Sequence, residues 1–206
     1  DVRRETCRVE ECVLGNIITD SMLFNSGAQI ALMNGGGIRS SVDAGDITFG
    51  DALTVLPFSN LLATFEMSGA NIERVLEHGV GAITVNEAGV VSRQGLNGRF
   101  VQVGGLRYSY DPTQPVGQRI VSVEVKNPDG SYSPIDASTI YRVVTNGFLR
   151  TGGDGYVVMA QRAINPYDFG ALDFESLVAY LSFTSTIEPV LEGRITIVGA
   201  TLPPLE

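Results

Sequence analysis

The chain has 206 residues, of which 44% are hydrophobic and 18% are charged, and its formal net charge at pH 7 is −9. This length supports one sizeable core, and the hydrophobic fraction excludes a disordered chain. The negative charge argues against nucleic acid and anionic membranes as partners, although a few arginines can still attract a small phosphorylated ligand. No apolar run approaches the roughly 20 residues of a transmembrane helix. Because the charged residues 1–5 lead directly into patterned sequence, we expect no signal peptide and a chain cut from a longer protein.

The first 80 residues show both helical and strand patterns. Helices are indicated by apolar residues three and four positions apart, and strands by apolar runs or alternation. The predicted elements are a helix over 14–24, a strand over 28–33, a short helix through 51–53 capped by Thr48, a strand over 61–67, and a helix capped by Ser68 with apolar positions 72, 75, 76 and 80. His78 lies near the end of the last helix, where we assign it a structural role as a solvated or capping cation.

The rest of the chain is dominated by strands and turns. Residues 86–99, rich in Gly, Asn and Ser, are predicted to form a surface excursion. Further predicted elements are strands over 100–103, 106–110, 120–125 and 141–145, helices over 157–163 and about 170–185, and a closing strand within 193–198. Because helices and hairpins are mixed without a regular βαβ repeat, we assign the class α+β, a single domain over 1–206 with mixed sheets and flanking helices. Residues 200–206 are predicted to be a tail.

Two cysteines, Cys7 and Cys12, enclose four residues. A zinc site or a nucleophilic cysteine would need further ligands or a histidine partner nearby, and the only histidine is His78. The spacing therefore favours a small local disulfide, typical of an oxidising compartment, over the alternative of two reduced thiols.

The segment Asn34–Arg39 contains three consecutive glycines directly after the predicted strand over 28–33. Without Cβ atoms, these glycines, with Gly36 at their centre, let a ligand approach the main chain, and their N–H groups could form an anion-binding nest. Asn34 offers a donor and an acceptor, and Arg39 offers a fork of donors that fits phosphate or carboxylate. The alternative is an ordinary turn with a surface arginine.

A second loop rich in small residues, 146–156, follows the predicted strand over 141–145. If folding joins the two loops, Phe58 and Phe148 could hold a flat apolar ring, and Asp154 could accept hydrogen bonds from the vicinal hydroxyls of a ribose. Arg8 and Arg39 could meet an anion. Base, sugar and phosphate together describe a nucleotide, although each phenylalanine could instead be an ordinary core residue. With neither a phosphate loop of the G-x-x-x-x-G-K-[ST] type nor a cluster of metal ligands, we expect the chain to bind rather than catalyse.

Three motifs, in this order, resemble those of one known family: 34–39 (Asn-Gly-Gly-Gly-Ile-Arg), 56–60 (Leu-Pro-Phe-Ser-Asn) and 145–156, with Thr-Asn-Gly-Phe and Gly-Gly-Asp-Gly-Tyr. The chain resembles, from about Cys7 to Ile197, the C-terminal domain of the metal-dependent 5′-nucleotidases, the group that includes ecto-5′-nucleotidase and the periplasmic UDP-sugar hydrolases. Its fold is then expected to be the sandwich of that domain.

The resemblance implies specific roles for the site residues. Phe58 and Phe148 would sandwich the base, Asp154 would accept from the ribose hydroxyls, and Asn34 would contact the nucleoside. Arg8 and Arg39 would hold the phosphate, and the cysteines beside Arg8 would form a disulfide. Two positions depart from the family pattern and bear on base preference: Ser59 replaces the glycine that is common there, and Gly147 replaces a bulkier residue.

The resemblance also implies a parent protein with an N-terminal metallophosphatase domain, whose two divalent metal ions carry out the hydrolysis of nucleoside 5′-monophosphates. No cofactor is expected in this chain, and its partners would be a nucleotide, adenine type favoured, and that N-terminal domain. The parent is expected to be extracellular, on the cell surface or periplasmic. The alternatives are a hydrolase of UDP-sugars, of cyclic nucleotides or of a sulfur oxyanion carrier, and a non-catalytic nucleotide-binding module.

Overall fold

The computed structural model describes residues 5–93 and 95–203 and contains two mixed β-sheets with helices packed around them. The helices are α1 Val13–Ser26, α2 Phe49–Val55, α3 Gly69–Val80, α4 Gly147–Arg150, α5 Val157–Arg162 and α6 Asp173–Thr184. The strands are β1 Ile30–Asn34, β2 Leu62–Ser68, β3 Val101–Gly104, β4 Leu106–Tyr110, β5 Ile120–Lys126, β6 Tyr132–Pro134, β7 Ile140–Asn146, β8 Ile164–Tyr167 and β9 Ile195–Ile197.

The larger sheet has five strands in the order β3-β1-β7-β2-β8, and the smaller sheet has four in the order β6-β5-β4-β9. In the larger sheet, only the neighbours β1 and β7 run parallel; β3, β2 and β8 pair antiparallel with their neighbours. The smaller sheet is antiparallel except for the parallel pair of β4 and β9. The α+β class with mixed sheets and flanking helices is thus confirmed.

Strand β1 is buried along its whole length because both of its faces are covered. Ile30 and Leu32 belong to a core shared with α3 and with the inner faces of β4 and β5, so the two sheets pack face to face. Ala31 and Met33 point to the opposite face and pack with α1, α2 and α6. The period of two in a strand explains this division, and a continuous apolar run is what a central strand requires.

Most predicted elements are present with shifted ends. Strand β1 begins at Ile30 and includes Asn34, and α6 begins at Asp173 rather than near residue 170. Thr48 forms a full capping box with Asp51 at the start of α2, as its position predicts. Ser68 occupies the N-cap position of α3, but its side chain makes no capping hydrogen bond, so that detail of the prediction is wrong.

Three elements were not predicted: the short helix α4 and the strands β6 and β8. The predicted surface excursion over 86–99 also contributes to the core, because Val91 is buried and forms a bridge with Val85. Residues 200–202 of the predicted tail over 200–206 belong to the packed structure. Thr201 pairs with Val90, and Ala200 and Leu202 pack against the core; residues 204–206 of that prediction lie outside the described residues.

Candidate functional site

The candidate site lies where β1 and β7 end. Because these strands are parallel neighbours, their carboxyl ends meet at one edge of the sheet, which is where open sheets place ligand sites. Each strand ends in a buried asparagine, Asn34 on β1 and Asn146 on β7. The Nδ2 of Asn146 donates to the Oδ1 of Asn34 over 2.9 Å. This bond joins the two loops that follow the strands.

The two asparagines are the centre of a chain of side-chain hydrogen bonds. At one end, the Oδ1 of Asn146 accepts the backbone N–H of Leu149 at 2.9 Å and caps α4. At the other end, the Nδ2 of Asn34 donates to the Oδ2 of Asp154 at 2.9 Å. An ionised carboxylate only accepts, and a backbone N–H only donates, so both amides can have only this orientation. This series of hydrogen bonds therefore fixes the position of the Asp154 carboxylate.

Asp154 has a left-handed backbone conformation, with φ 54° and ψ 17°. Its neighbours Gly152 and Gly155 also have positive φ, at 100° and 84°. A non-glycine residue in this region costs roughly 1–2 kcal/mol, and such outliers concentrate at functional sites. The turn therefore holds Asp154 in an unfavourable conformation that its surroundings must stabilise.

All seven predicted substrate-binding residues line one cavity of about 490 Å³. They are Arg8, Asn34, Gly36, Arg39, Phe58, Phe148 and Asp154. Gly37, Asn60 and Gly98 complete the lining. The structure thus brings together residues from five separate segments of the chain.

Both phenylalanines of the site are exposed, which sets them apart from core residues. Phe58 is 57% exposed and Phe148 is 44% exposed. Phe58 lies between Pro57, which restricts the preceding backbone, and Ser59, whose φ is 50°. The ring of Phe148 lies against Gly153, where a Cβ would come within 2.6 Å of three ring carbons. Phe58, from a turn, and Phe148, from α4, therefore both present apolar surface to the cavity.

The two arginines of the site approach the cavity from different segments. The Cζ of Arg39 lies 5.6 Å from the ring centroid of Phe58, within cation–π range, and its Nη1 donates to the carbonyl oxygen of Gly36 at 3.2 Å. Arg8 donates through Nη1 to the carbonyl oxygen of Leu96 at 3.3 Å. Both arginines line the cavity, so they add positive charge to it within an acidic protein.

The loop that carries Arg8 is closed by a disulfide between Cys7 and Cys12. The side chain of the fully buried Gln102 also forms hydrogen bonds with this loop. Its Nε2 donates to the carbonyl oxygens of Cys7 and Glu10 at 2.9 and 2.8 Å, and its Oε1 accepts the N–H of Cys12 at 3.0 Å. The position of Arg8 is therefore fixed by a covalent bond and by three hydrogen bonds to one amide.

The prediction that the triple glycine forms an anion-binding nest is wrong for Gly35 and Gly36, because their N–H groups already donate to backbone carbonyl oxygens. The N–H of Gly35 donates to the carbonyl oxygen of Phe100 at 2.7 Å, and the N–H of Gly36 donates to that of Gly98 at 2.9 Å. The glycines instead permit close backbone packing. A Cβ on Gly36 would lie 2.6 Å from the Cα of Gly98, and one on Gly35 would lie 2.0 Å from the carbonyl oxygen of Cys7.

Four residues that the sequence interpretation did not assign to the site contribute to it: Asn60, Gly98, Asn146 and His78. The side chain of Asn60 donates to the Oδ2 of Asp173 at 3.2 Å. Burial of the Asp173 carboxyl raises its pKa. Asn60 and Asn146 had a recognisable signal, since they lie in the motifs 56–60 and 145–156, and Asn146 also ends a strand before a glycine as Asn34 does. Gly98 and His78 contact the site through packing that the sequence pattern does not show.

Within the described ranges, 5–93 and 95–203, no group of three or more His, Cys, Asp or Glu side chains stands close enough together to hold a metal ion. Nor does any helix in these ranges have the length and apolarity needed to cross a membrane.

A family model described as the C-terminal domain of 5′-nucleotidase matches residues 1–161. The chain belongs to this family. A 5′-nucleotidase precursor from Thermus thermophilus has the same fold, with a TM-score of 0.86 and 43% identity over 95% of this chain and 37% of that one. The apyrase of Tabanus yao is 38% identical over 95% of this chain and 36% of its own length.

A more distant member of the same fold is the NAD nucleotidase of Haemophilus influenzae, with a TM-score of 0.78 and 27% identity over 93% of this chain and 33% of that one. The resemblance to 5′-nucleotidase C-terminal domains is therefore confirmed. The chain spans about a third of the length of these relatives.

Proposed function

We propose that this chain is the nucleotide-binding, substrate-specificity domain of a hydrolase that converts nucleoside 5′-monophosphates to nucleoside and phosphate. The observation that carries the proposal is the cavity of about 490 Å³, which combines two exposed aromatic rings, a positioned carboxylate and two arginines. These groups match the base, the ribose and the phosphate of one ligand. The 5′-nucleotidase and apyrase relatives support the same ligand class.

In this proposal the base stacks on Phe58 and Phe148. Stacking on aromatic side chains contributes roughly 1–3 kcal/mol per base. Both rings are already exposed and oriented in the free protein, so little ordering is needed when a base enters. A small inorganic anion would need neither ring.

The ribose hydroxyls donate to the Asp154 carboxylate. Asn34 already donates to Oδ2, which leaves further acceptor positions on the two oxygens for a vicinal diol. Arg8 and Arg39, the two arginines that line the cavity, bind the phosphate. Gly36 also lines the cavity, and its carbonyl oxygen accepts from the Nη1 of Arg39, so it holds that guanidinium group at the site.

We further propose that catalysis belongs to an N-terminal metallophosphatase domain of the parent protein, and that this chain alone is not catalytic. The chain spans about a third of its relatives, which leaves room for such a domain. Two divalent metal ions in that domain would activate the attacking water. The described residues here do not fit a metal site, so we assign them only binding and orientation.

We propose an extracellular, cell-surface or periplasmic location. The Cys7–Cys12 disulfide supports it, because disulfides persist in oxidising compartments.

The test is a calorimetric titration of this chain with adenosine, AMP and ribose 5-phosphate, without added metal. We expect adenosine and AMP to bind with high micromolar to millimolar dissociation constants, about 4–6 kcal/mol, because the catalytic half of the site is absent. Phe148→Ala should weaken the binding of both adenosine and AMP, and so should Asp154→Ala. Phe183→Ala is the matched control, since its ring is 72% exposed and does not line the cavity. Unchanged affinities in the first two variants, or no saturable binding by the wild type, would refute the proposal.

A hydrolase of UDP-sugars or of dinucleotides is the second candidate. A further cavity of about 270 Å³ shares Arg8 with the main one and is lined also by Glu5, Arg93, Gly95 and Leu96. It offers space for a group attached beyond the phosphate. Tighter binding of UDP-glucose or NAD than of UMP or AMP would favour this candidate, and weaker binding would reject it.

A further inference from the structure

His78, the only histidine of the chain, contacts the turn that carries Asp154. It lies in the last turn of α3, and its Nε2 is 2.9 Å from the backbone carbonyl oxygen of Asp154. It is not among the residues that line the cavity. The sequence interpretation assigned it only a solvated or capping role. Its contact instead joins a core helix to the site.

The direction of this hydrogen bond follows from chemistry alone. A backbone carbonyl oxygen only accepts, so the imidazole must carry its proton on Nε2 and donate it. The neutral ring therefore has its proton on Nε2 rather than on Nδ1. This assignment is a measurable property of the free protein.

The imidazole is also fitted to the turn by packing. Its ring lies edge-on to Tyr156, with centroids 4.6 Å apart and planes at 75°. A Cβ on Gly155 would lie 3.0 Å from the Cε1 of His78, so the ring occupies the space that a side chain would fill. The hydroxyl of the buried Tyr156 in turn donates to the carbonyl oxygen of Arg99. The turn is thus held between α3 and the segment before β3.

We propose that His78 is a positioning residue that sets the Asp154 carboxylate for recognition of the ribose diol. The inference rests on the proposed function, because it assumes that Asp154 binds the ribose. Asp154 is held at two points, its carboxylate by Asn34 and its carbonyl by His78. Since its backbone is left-handed, loss of the second point lets the residue relax to a more favourable conformation and moves the carboxylate.

The test compares adenosine with 2′,3′-dideoxyadenosine, which keeps the base but has no diol. We expect wild-type protein to bind adenosine about tenfold more tightly, the effect of a hydrogen bond to a charged group. His78→Ala should reduce this preference to less than about threefold while changing the dideoxyadenosine affinity little. His78→Gln should restore most of the preference, because the amide nitrogen of glutamine reaches about as far as Nε2 and can donate. A loss of fold stability alone would weaken both ligands equally.

The outcomes separate this inference from the proposed function. A wild-type protein that binds both ligands equally would contradict the role of Asp154 and therefore the proposed function. A wild-type preference that His78→Ala leaves intact would overturn only the role of His78.

If His78→Ala does not fold, the wild-type imidazole provides the decisive measurement, because its NMR signals come from one residue. We expect the proton on Nε2, and a change in the ring signals on adding adenosine that dideoxyadenosine does not cause. A proton on Nδ1, or equal changes with both ligands, would overturn the inference.

Discussion

Replacement of Asn146 by alanine is the sharpest test of the hydrogen-bond chain at the strand ends. Asn146 is only 1% exposed, caps α4 through Oδ1 and donates through Nδ2 to Asn34, which is itself only 4% exposed. Loss of an N-cap costs about 1 kcal/mol, and leaving the buried Oδ1 of Asn34 without its donor costs roughly 1–3 kcal/mol. Asn146→Ala should therefore lower the free energy of unfolding by roughly 2–4 kcal/mol.

Asn146→Ser separates the two contributions. Serine is a good N-cap residue, but its shorter side chain does not reach Asn34, so only the second cost of roughly 1–3 kcal/mol remains. The assay is urea unfolding followed by circular dichroism, with equal m-values as the condition for comparison. Asn127→Ala, in the turn between β5 and β6, controls for removal of an asparagine elsewhere. Equal losses of unfolding free energy in Asn146→Ala and Asn146→Ser would refute the capping role. A loss below about 0.5 kcal/mol in both variants would refute the stabilising role of the hydrogen bonds between the strand ends.

Three further predictions concern stability. Ser59 has a φ of 50°, so Ser59→Gly should raise the free energy of unfolding by up to about 1 kcal/mol in the same assay; a decrease would show that the serine is not strained. Reducing the bond between Cys7 and Cys12, which are five positions apart, should lower the free energy of unfolding by about 2 kcal/mol and weaken AMP more than adenosine, because Arg8 lies in the closed loop. Equal weakening of both ligands would contradict that link to the phosphate. Hydrogen bonds from the side chain and backbone of Ser138 lower the pKa of Asp136. The ionised Asp136 therefore stabilises the fold above about pH 4, and this stabilisation is lost as the pH falls through the lowered pKa. Asp136→Asn should therefore make the stability less dependent on pH in this acid range, and an unchanged dependence in acid unfolding curves would contradict the assignment.

The sequence predicts the core elements well because their patterns are local. The apolar run at β1 and the helical spacing in α1 and α3 each follow from burial of one or two faces. Strand β8 was missed because Pro166 and a left-handed Asn165 interrupt the strand pattern at the sheet edge.

The site was predicted as far as its loops were recognised. The seven substrate-binding residues lie in segments whose glycines, aromatics or resemblance to the family marked them. The bond between His78 and Asp154 spans 76 positions, and the approach of Gly98 to Gly36 joins separate loops. Such contacts depend on tertiary packing, and no local periodicity records them.

The parallel pairing of β1 with β7 also determines when the larger sheet can form during synthesis of the chain. Asn34 and its partner Asn146 are 112 positions apart. At translation rates of about 5–20 residues per second, roughly 6–22 s pass between the synthesis of the two. In that interval β1 can pair with β3 on one side, while its other edge has no native partner and can template association with other chains. The β1–β7 junction, where the candidate ligand site lies, is therefore among the last parts of the larger sheet that a growing chain can close.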